Sequence, residues 1–161
     1  MTRFEHLIQI NALDAPGLPL LSRAQIWRGL ALRAYDPAHF IMGLEASSIN
    51  NRIEYAGHEV IERTLYYGSF EVHDTVTLHH MDKTRVDVPA SDKWPRCSAT
   101  CIIEEPEPES FFIRFIYEWD DTAPTEQELD EDTRRAREHA YMAAAIDTVR
   151  RIRELSEHQV C

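Results

Sequence analysis

The chain has 161 residues, about one domain's worth and enough to enclose a single core. With 43% hydrophobic residues, 5 Gly and 8 Pro, its composition excludes a disordered or fibrous chain. A formal charge of −11 repels phosphate backbones, so nucleic acid and anionic membrane are excluded as expected partners.

At the N-terminus, MTRFEHLIQIN interleaves charge with apolar residues and has no signal-peptide core. No apolar run reaches the roughly 18 to 20 residues of a membrane span. A cytoplasmic location is expected. Residues 4 to 12 read as a first strand, closed by the Pro/Gly-rich segment Asp14 to Pro19. Ser22 opens a helix with Gln25 completing a capping box, and Ile26, Leu30 and Ala34 share a face with Trp27 beside them. Asp36–Pro37 breaks that helix and starts a short second one through Phe40.

From Leu44 to Trp119 the period changes to two. Turn signals at Ala56–Gly57, Gly68–Ser69, Asp82–Lys83, Pro89 to Pro95 and Pro106 to Pro108 divide this stretch into six strands, an antiparallel meander. Cys97 and Cys101 fall four apart in one of them, on one face but ~13 Å from each other. That distance excludes a disulfide or a shared metal ion. Cys161 ends the chain, and a structural, reduced role is expected for all three cysteines.

The last element is the longest. Thr125 and Glu128 form a second capping box, and no Gly or Pro follows before about Glu157. Leu129, Ala136, Ala140, Ala144, Val149, Ile152 and Leu155 approximate one face. Acidic residues crowd the first two turns and arginines follow, with Asp130–Arg134 and Glu131–Arg135 at i,i+4. One strand, two short helices, six strands and one long helix is the order of an α+β helix-grip fold. In that fold a curved seven-stranded antiparallel sheet wraps around the C-terminal helix, here as a single domain over residues 1–161.

A two-residue turn with Gly first pairs Tyr67 with Phe70. Counting outward, Leu65 meets Val72, Arg63 meets Asp74, Ile61 meets Val76, and Glu59 meets Leu78, all on one face. The other face carries Tyr66–Glu71, Thr64–His73, Glu62–Thr75 and Val60–Thr77, so the first set is expected inside. If the preceding loop is Ala56–Gly57–His58, Asn51 falls beside Arg63. Asn51, Arg63 and Asp74 then form a polar cluster among apolar neighbours. A wet cavity or ligand site explains it, and so does a structural ion pair. In the last strand, Phe111, Ile113, Phe115, Tyr117 and Trp119 are expected inward, opposite Ala136, Ala140 and Ala144 of the long helix. Aromatic walls facing small residues leave a void or allow close helix–sheet packing.

LSRAQIWRGLALRAYDPAHFI, ERTLYYGS and VHDTVTL resemble the AtaL-like family, formerly a domain of unknown function, within the START/Bet v 1 (SRPBCC) superfamily. The topology agrees over essentially the whole chain. The family's strand Arg maps to Arg63, and the acid before its Val-Thr-Leu tail maps to Asp74, where the family tends to have Glu. An Asn expected in the sixth strand is missing from Arg96–Thr100. The resemblance implies binding of lipid- or hormone-like ligands or cyclisation of polyketides.

His73 and His79 fall on the outward face, and no helical H-x-x-x-H, C-x-x-C, E-x-x-H, G-x-G-x-x-G, Walker or G-x-S-x-G element occurs. No metal, cofactor or catalytic set is expected from these motifs. The expected function is binding of a small, largely apolar ligand between the sheet and the C-terminal helix, with Asn51, Arg63, Tyr67, Asp74, Phe115 and Tyr117 as ligand-binding residues. The alternative is a cyclase or dehydratase in which Arg63 polarises a carbonyl and Asp74 or a pocket tyrosine moves the proton. A third reading makes the acidic helix face a protein-binding module. The expected partner is a small apolar or amphipathic molecule, and the sequence also permits a homodimer.

Overall fold

The N-terminal strand β1 (Thr2–Gln9) is followed by helix α1 (Arg23–Tyr35) and a single 3₁₀ turn (Pro37–His39). Six strands then run in a meander: β2 (Ala46–Tyr55), β3 (His58–Tyr66), β4 (Glu71–His79), β5 (Lys83–Val88), β6 (Cys97–Glu107) and β7 (Ser110–Trp119). Helix α2 (Glu131–Glu157) follows. This is a computed structural model, and it describes residues 2–14, 17–120 and 131–157. All strand pairs are antiparallel, in the order β1-β7-β6-β5-β4-β3-β2, so β1 returns to pair with the last strand. The curved sheet with its C-terminal helix is the helix-grip arrangement. No described helix is long and apolar enough to cross a membrane.

The expected capping box at Ser22 and Gln25 is present, and Ile26, Trp27, Leu30 and Ala34 are buried. The expected short second helix is present as a single 3₁₀ turn that starts at Pro37 and closes where the Phe40 N–H donates to the Pro37 carbonyl. Gly68 takes φ 81°, and the β3–β4 register is the predicted one, including Arg63 opposite Asp74. Phe111, Ile113, Phe115 and Trp119 are buried, and Tyr117 is half-buried on the same face. Cys97 and Cys101 are free thiols in β6, while Cys161 lies outside the described residues.

Two expectations are corrected. The β2–β3 turn is Ala56–Gly57, with Tyr55 opposite His58, and a bulge between Ile49 and Asn51 shifts the register again. Asn51 therefore lies opposite Glu62, and Ile49, not Asn51, lies opposite Arg63. The second correction concerns α2. Ala136, Ala140 and Ala144 are exposed, and the buried residues are Ala145, Thr148, Val149, Ile152 and Ser156. Val149 and Ile152 of the expected stripe are buried, but Ala145, Thr148 and Ser156 join them in place of the three alanines, which offer little apolar area to remove from water. The Thr125–Glu128 box, Leu129 and Asp130 lie outside the described residues, while the Glu131–Arg135 ion pair is present at 3.5 Å.

Helix α2 packs on α1 and β1. At the helix crossing, Gly29 of α1 meets Ile152 so closely that an added Cβ would sit 2.7 Å from the isoleucine Cγ1. The core joins Ile26 and Leu30 to Ile61, Val76, Ile113, Phe115 and Ile152. Asn11, almost fully buried, locks the chain entering α1. Its amide nitrogen donates to the carbonyls of Leu21 and Glu109, and its oxygen accepts from the Leu21 N–H.

Candidate functional site

Between the C-terminal half of α1 and strands β3 to β6 lies a cavity of about 200 Å³. Its walls are apolar through Leu30, Leu65, Val72, Val76, Val86 and Val88. Its polar groups are Arg33, Arg63, Tyr67, Asp74 and Thr84. No described residue of α2 lines it, so the pocket expected against the C-terminal helix lies instead against α1.

Arg63 and Asp74 are 4% and 5% exposed, the extent of burial at which a charge needs a partner. The pair is bidentate: Arg63 Nε donates to Asp74 Oδ1 at 2.9 Å and Nη2 donates to Oδ2 at 2.7 Å. Nη1 donates to the carbonyl of Ala34 at 2.8 Å and, more weakly, to that of Arg33 at 3.5 Å. All three nitrogens of Arg63 thus have partners within the chain, and two of those partners belong to the last turn of α1, whose carbonyls have no intrahelical donor.

Tyr67 lines the same cavity and stacks on Phe70 with ring centroids 5.1 Å apart. Burial raises its phenol above the usual value, and Asp74 adds to that while Arg63 and Arg33 oppose it. Of the other predicted site residues, Asn51 is exposed on β2 and Phe115 is buried in the core. Tyr117 stacks on Tyr141 of α2 at 4.2 Å. Burial pushes the Tyr117 phenol up to about 12. The structure thus brings together Arg63, Tyr67 and Asp74, and leaves Asn51, Phe115 and Tyr117 outside the cavity lining.

Arg33 is the cavity residue the sequence argument passed over. Its signal was present, since it lies seven residues after Ile26 and three after Leu30, on the apolar stripe of α1. Among the described residues its buried Nε has no hydrogen-bond partner, and Nη1 has only the Cys101 sulfur at 3.9 Å. His6 was passed over too. It is buried between Phe4 and Tyr117, its Nε2 has no partner among the described residues, and burial lowers its pKa against the opposing charge of Glu138.

The sequence profile of the family described as "AtaL: Acetylaranotin biosynthesis cluster protein L" matches residues 8–159. The chain belongs to the AtaL family. Its fold is shared with solved SRPBCC and Bet v 1-like structures. The ZhuI aromatase/cyclase from Streptomyces sp. R1128 superposes with a TM-score of 0.61 at 12% identity, covering 99% of this chain and 96% of that one. Norcoclaurine synthase from Thalictrum flavum gives 0.58 at 16% identity, covering 98% and 87%. Ara h 8.0201 gives 0.53 at 10% identity, covering 98% and 99%. Among curated proteins none matches the chain. At these identities the likeness to solved structures concerns the fold, and the AtaL chain's chemistry has to be argued from its own cavity.

Proposed function

We propose that this AtaL-family chain binds a compact, largely apolar molecule in the cavity between α1 and strands β3 to β6. The observation that carries this reading is a largely apolar, partly open cavity of about 200 Å³ containing a few convergent polar groups. The volume lies below the roughly 300–1,000 Å³ of drug-sized ligand sites, which favours one or two rings over an extended chain. Arg63 and Asp74 form one wall, and Tyr67 offers its hydroxyl to the ligand. Filling the cavity tests the reading. Wild type is expected to bind the neutral probe 2-naphthol saturably, followed by its fluorescence, and Ala99→Phe is expected to abolish this binding without unfolding the protein, since Ala99 lines the cavity. No binding, or binding indifferent to Ala99→Phe, speaks against it.

A second reading, a cyclase- or dehydratase-like reaction in the same cavity, is favoured by the family's description as a biosynthesis cluster protein and by the aromatase/cyclases among the structures of like fold. Arg63 suits it poorly, because its nitrogens are engaged by Asp74 and the end of α1. Tyr67 is then the group to move a proton, and Tyr67→Phe is the variant that would retain binding and lose turnover.

A further inference from the structure

Two arginines line the cavity in unlike states. Arg63 is neutralised by Asp74. Among the described residues Arg33 has no ion pair, and its one side-chain hydrogen bond is the long contact to the Cys101 sulfur. A guanidinium with a buried, unpartnered Nε beside an apolar cavity is costly for the free protein, because its desolvation is not repaid by a partner. Its acidic neighbours do not repay it either. Tyr67, Cys101 and Tyr117 all feel its charge, yet burial keeps each of them protonated at neutral pH. The chain carries a net charge of −11, so this half-buried cation is a local exception to its field.

We propose that Arg33 is the recognition residue for a carboxylate on the ligand, so that the cavity selects compact aromatic or alicyclic carboxylic acids over their neutral analogues. This rests on the cavity-binding reading above. A planar guanidinium matches a carboxylate with two parallel hydrogen bonds, which a neutral acceptor does not reproduce. The ligand's rings lie against Leu65, Val72 and Val86, and Tyr67 is placed to donate its hydroxyl to the same oxyanion. The binding energy comes from supplying the partner that Arg33 lacks.

Two probes of nearly the same shape test this: 2-naphthoate, and 2-naphthamide, which replaces the carboxylate by a neutral amide. Binding is measured by calorimetry near neutral pH on wild type, Arg33→Met and Arg33→Lys, with a thermal melt of each. Wild type is expected to prefer naphthoate by about 10- to 100-fold, and Arg33→Met to erase that preference while leaving naphthamide affinity within about threefold. Arg33→Lys is expected to keep part of the preference, since it retains charge without the planar fork. The melting temperature of Arg33→Met should equal or exceed that of wild type, because an unsatisfied buried donor is removed. Equal affinity of wild type for the two probes, or a preference that survives Arg33→Met, overturns the assignment and leaves the cavity reading intact. A clear loss of thermal stability in Arg33→Met marks a structural arginine and also counts against the assignment. Failure of wild type to bind either probe removes both readings.

Discussion

Arg63 connects three pieces of the molecule through one side chain. Its fork joins β3 to β4 through Asp74, and its remaining nitrogen caps the last turn of α1 through the Ala34 carbonyl. Burial raises the stakes of each bond, because a partner removed from one side leaves the other unsatisfied in an apolar setting. Arg63→Ala should therefore cost about 3–5 kcal/mol, as it strands the Asp74 carboxylate. Arg63→Met combined with Asp74→Leu should recover most of this loss, falling short by ~1–3 kcal/mol because the Ala34 carbonyl still lacks its donor. Urea melts of the three proteins measure both effects. If the double variant is as unstable as the single one, lost packing rather than a stranded charge is responsible. The double variant should still bind 2-naphthol if the pair serves as cavity wall, and should lose it if the pair contacts the ligand.

At the scale of elements, the parts legible in the sequence were those where one signal dominated. The Gly68 turn fixed the β3–β4 pairing, since a slip by one residue would have turned Leu65, Val72 and Val76 to solvent. Strand β2 gave no such signal. It is exposed along most of its length, with Ile53 at 44% accessibility, so neither register was penalised by burial and the bulge at Ile49/Asn51 was invisible. Helix α2 misled in another way: two faces compete, and the choice between them depends on contacts with α1 that no local pattern encodes. The β3–β4 register already places Arg63, Tyr67 and Asp74 on the face that lines the cavity, whereas Arg33 lies on α1 and no sheet register points to it. The crossing itself makes a sharp prediction. Gly29→Ala gains about 0.5–1 kcal/mol of helix propensity but drives a methyl into Ile152, and overpacking of this kind costs typically ~1–3 kcal/mol. A net loss of stability is expected by denaturant melt, relieved when Ile152→Val is added. A stabilised Gly29→Ala would mean that the two helices separate easily.

For the whole molecule, pH acts through its surface and its interior in different ranges. With 28 Asp and Glu against 17 Lys and Arg, the surface charge changes mainly where carboxylates titrate, well below neutrality. Between these extremes the interior histidine is felt. His6 sits where α2 closes over β1 and β7, its ring 4.3 Å from that of Phe4 and 6.4 Å from that of Tyr117, with Glu138 the carboxylate that opposes the effect of burial. Its folded pKa lies below the ordinary 6.5, so over the interval between the two values the unfolded chain binds a proton that the folded one refuses. Stability is then fully present above the unfolded value of about 6.5 and falls as pH drops towards the folded value, below which no further loss comes from this group. His79 is lowered by burial as well, with Lys83 and His58 adding to the shift, and contributes in the same direction. A comparison of wild type with His6→Phe isolates the first residue, because His79 is common to both proteins. From slightly alkaline to mildly acidic pH, the melting temperature of wild type is expected to fall more steeply than that of His6→Phe. At neutral pH the variant should be at least as stable, since the Nε2 it removes has no partner. Parallel curves for the two proteins would show that His6 is protonated as readily in the folded state as in the unfolded chain, and that α2 does not seal this end of the sheet from water.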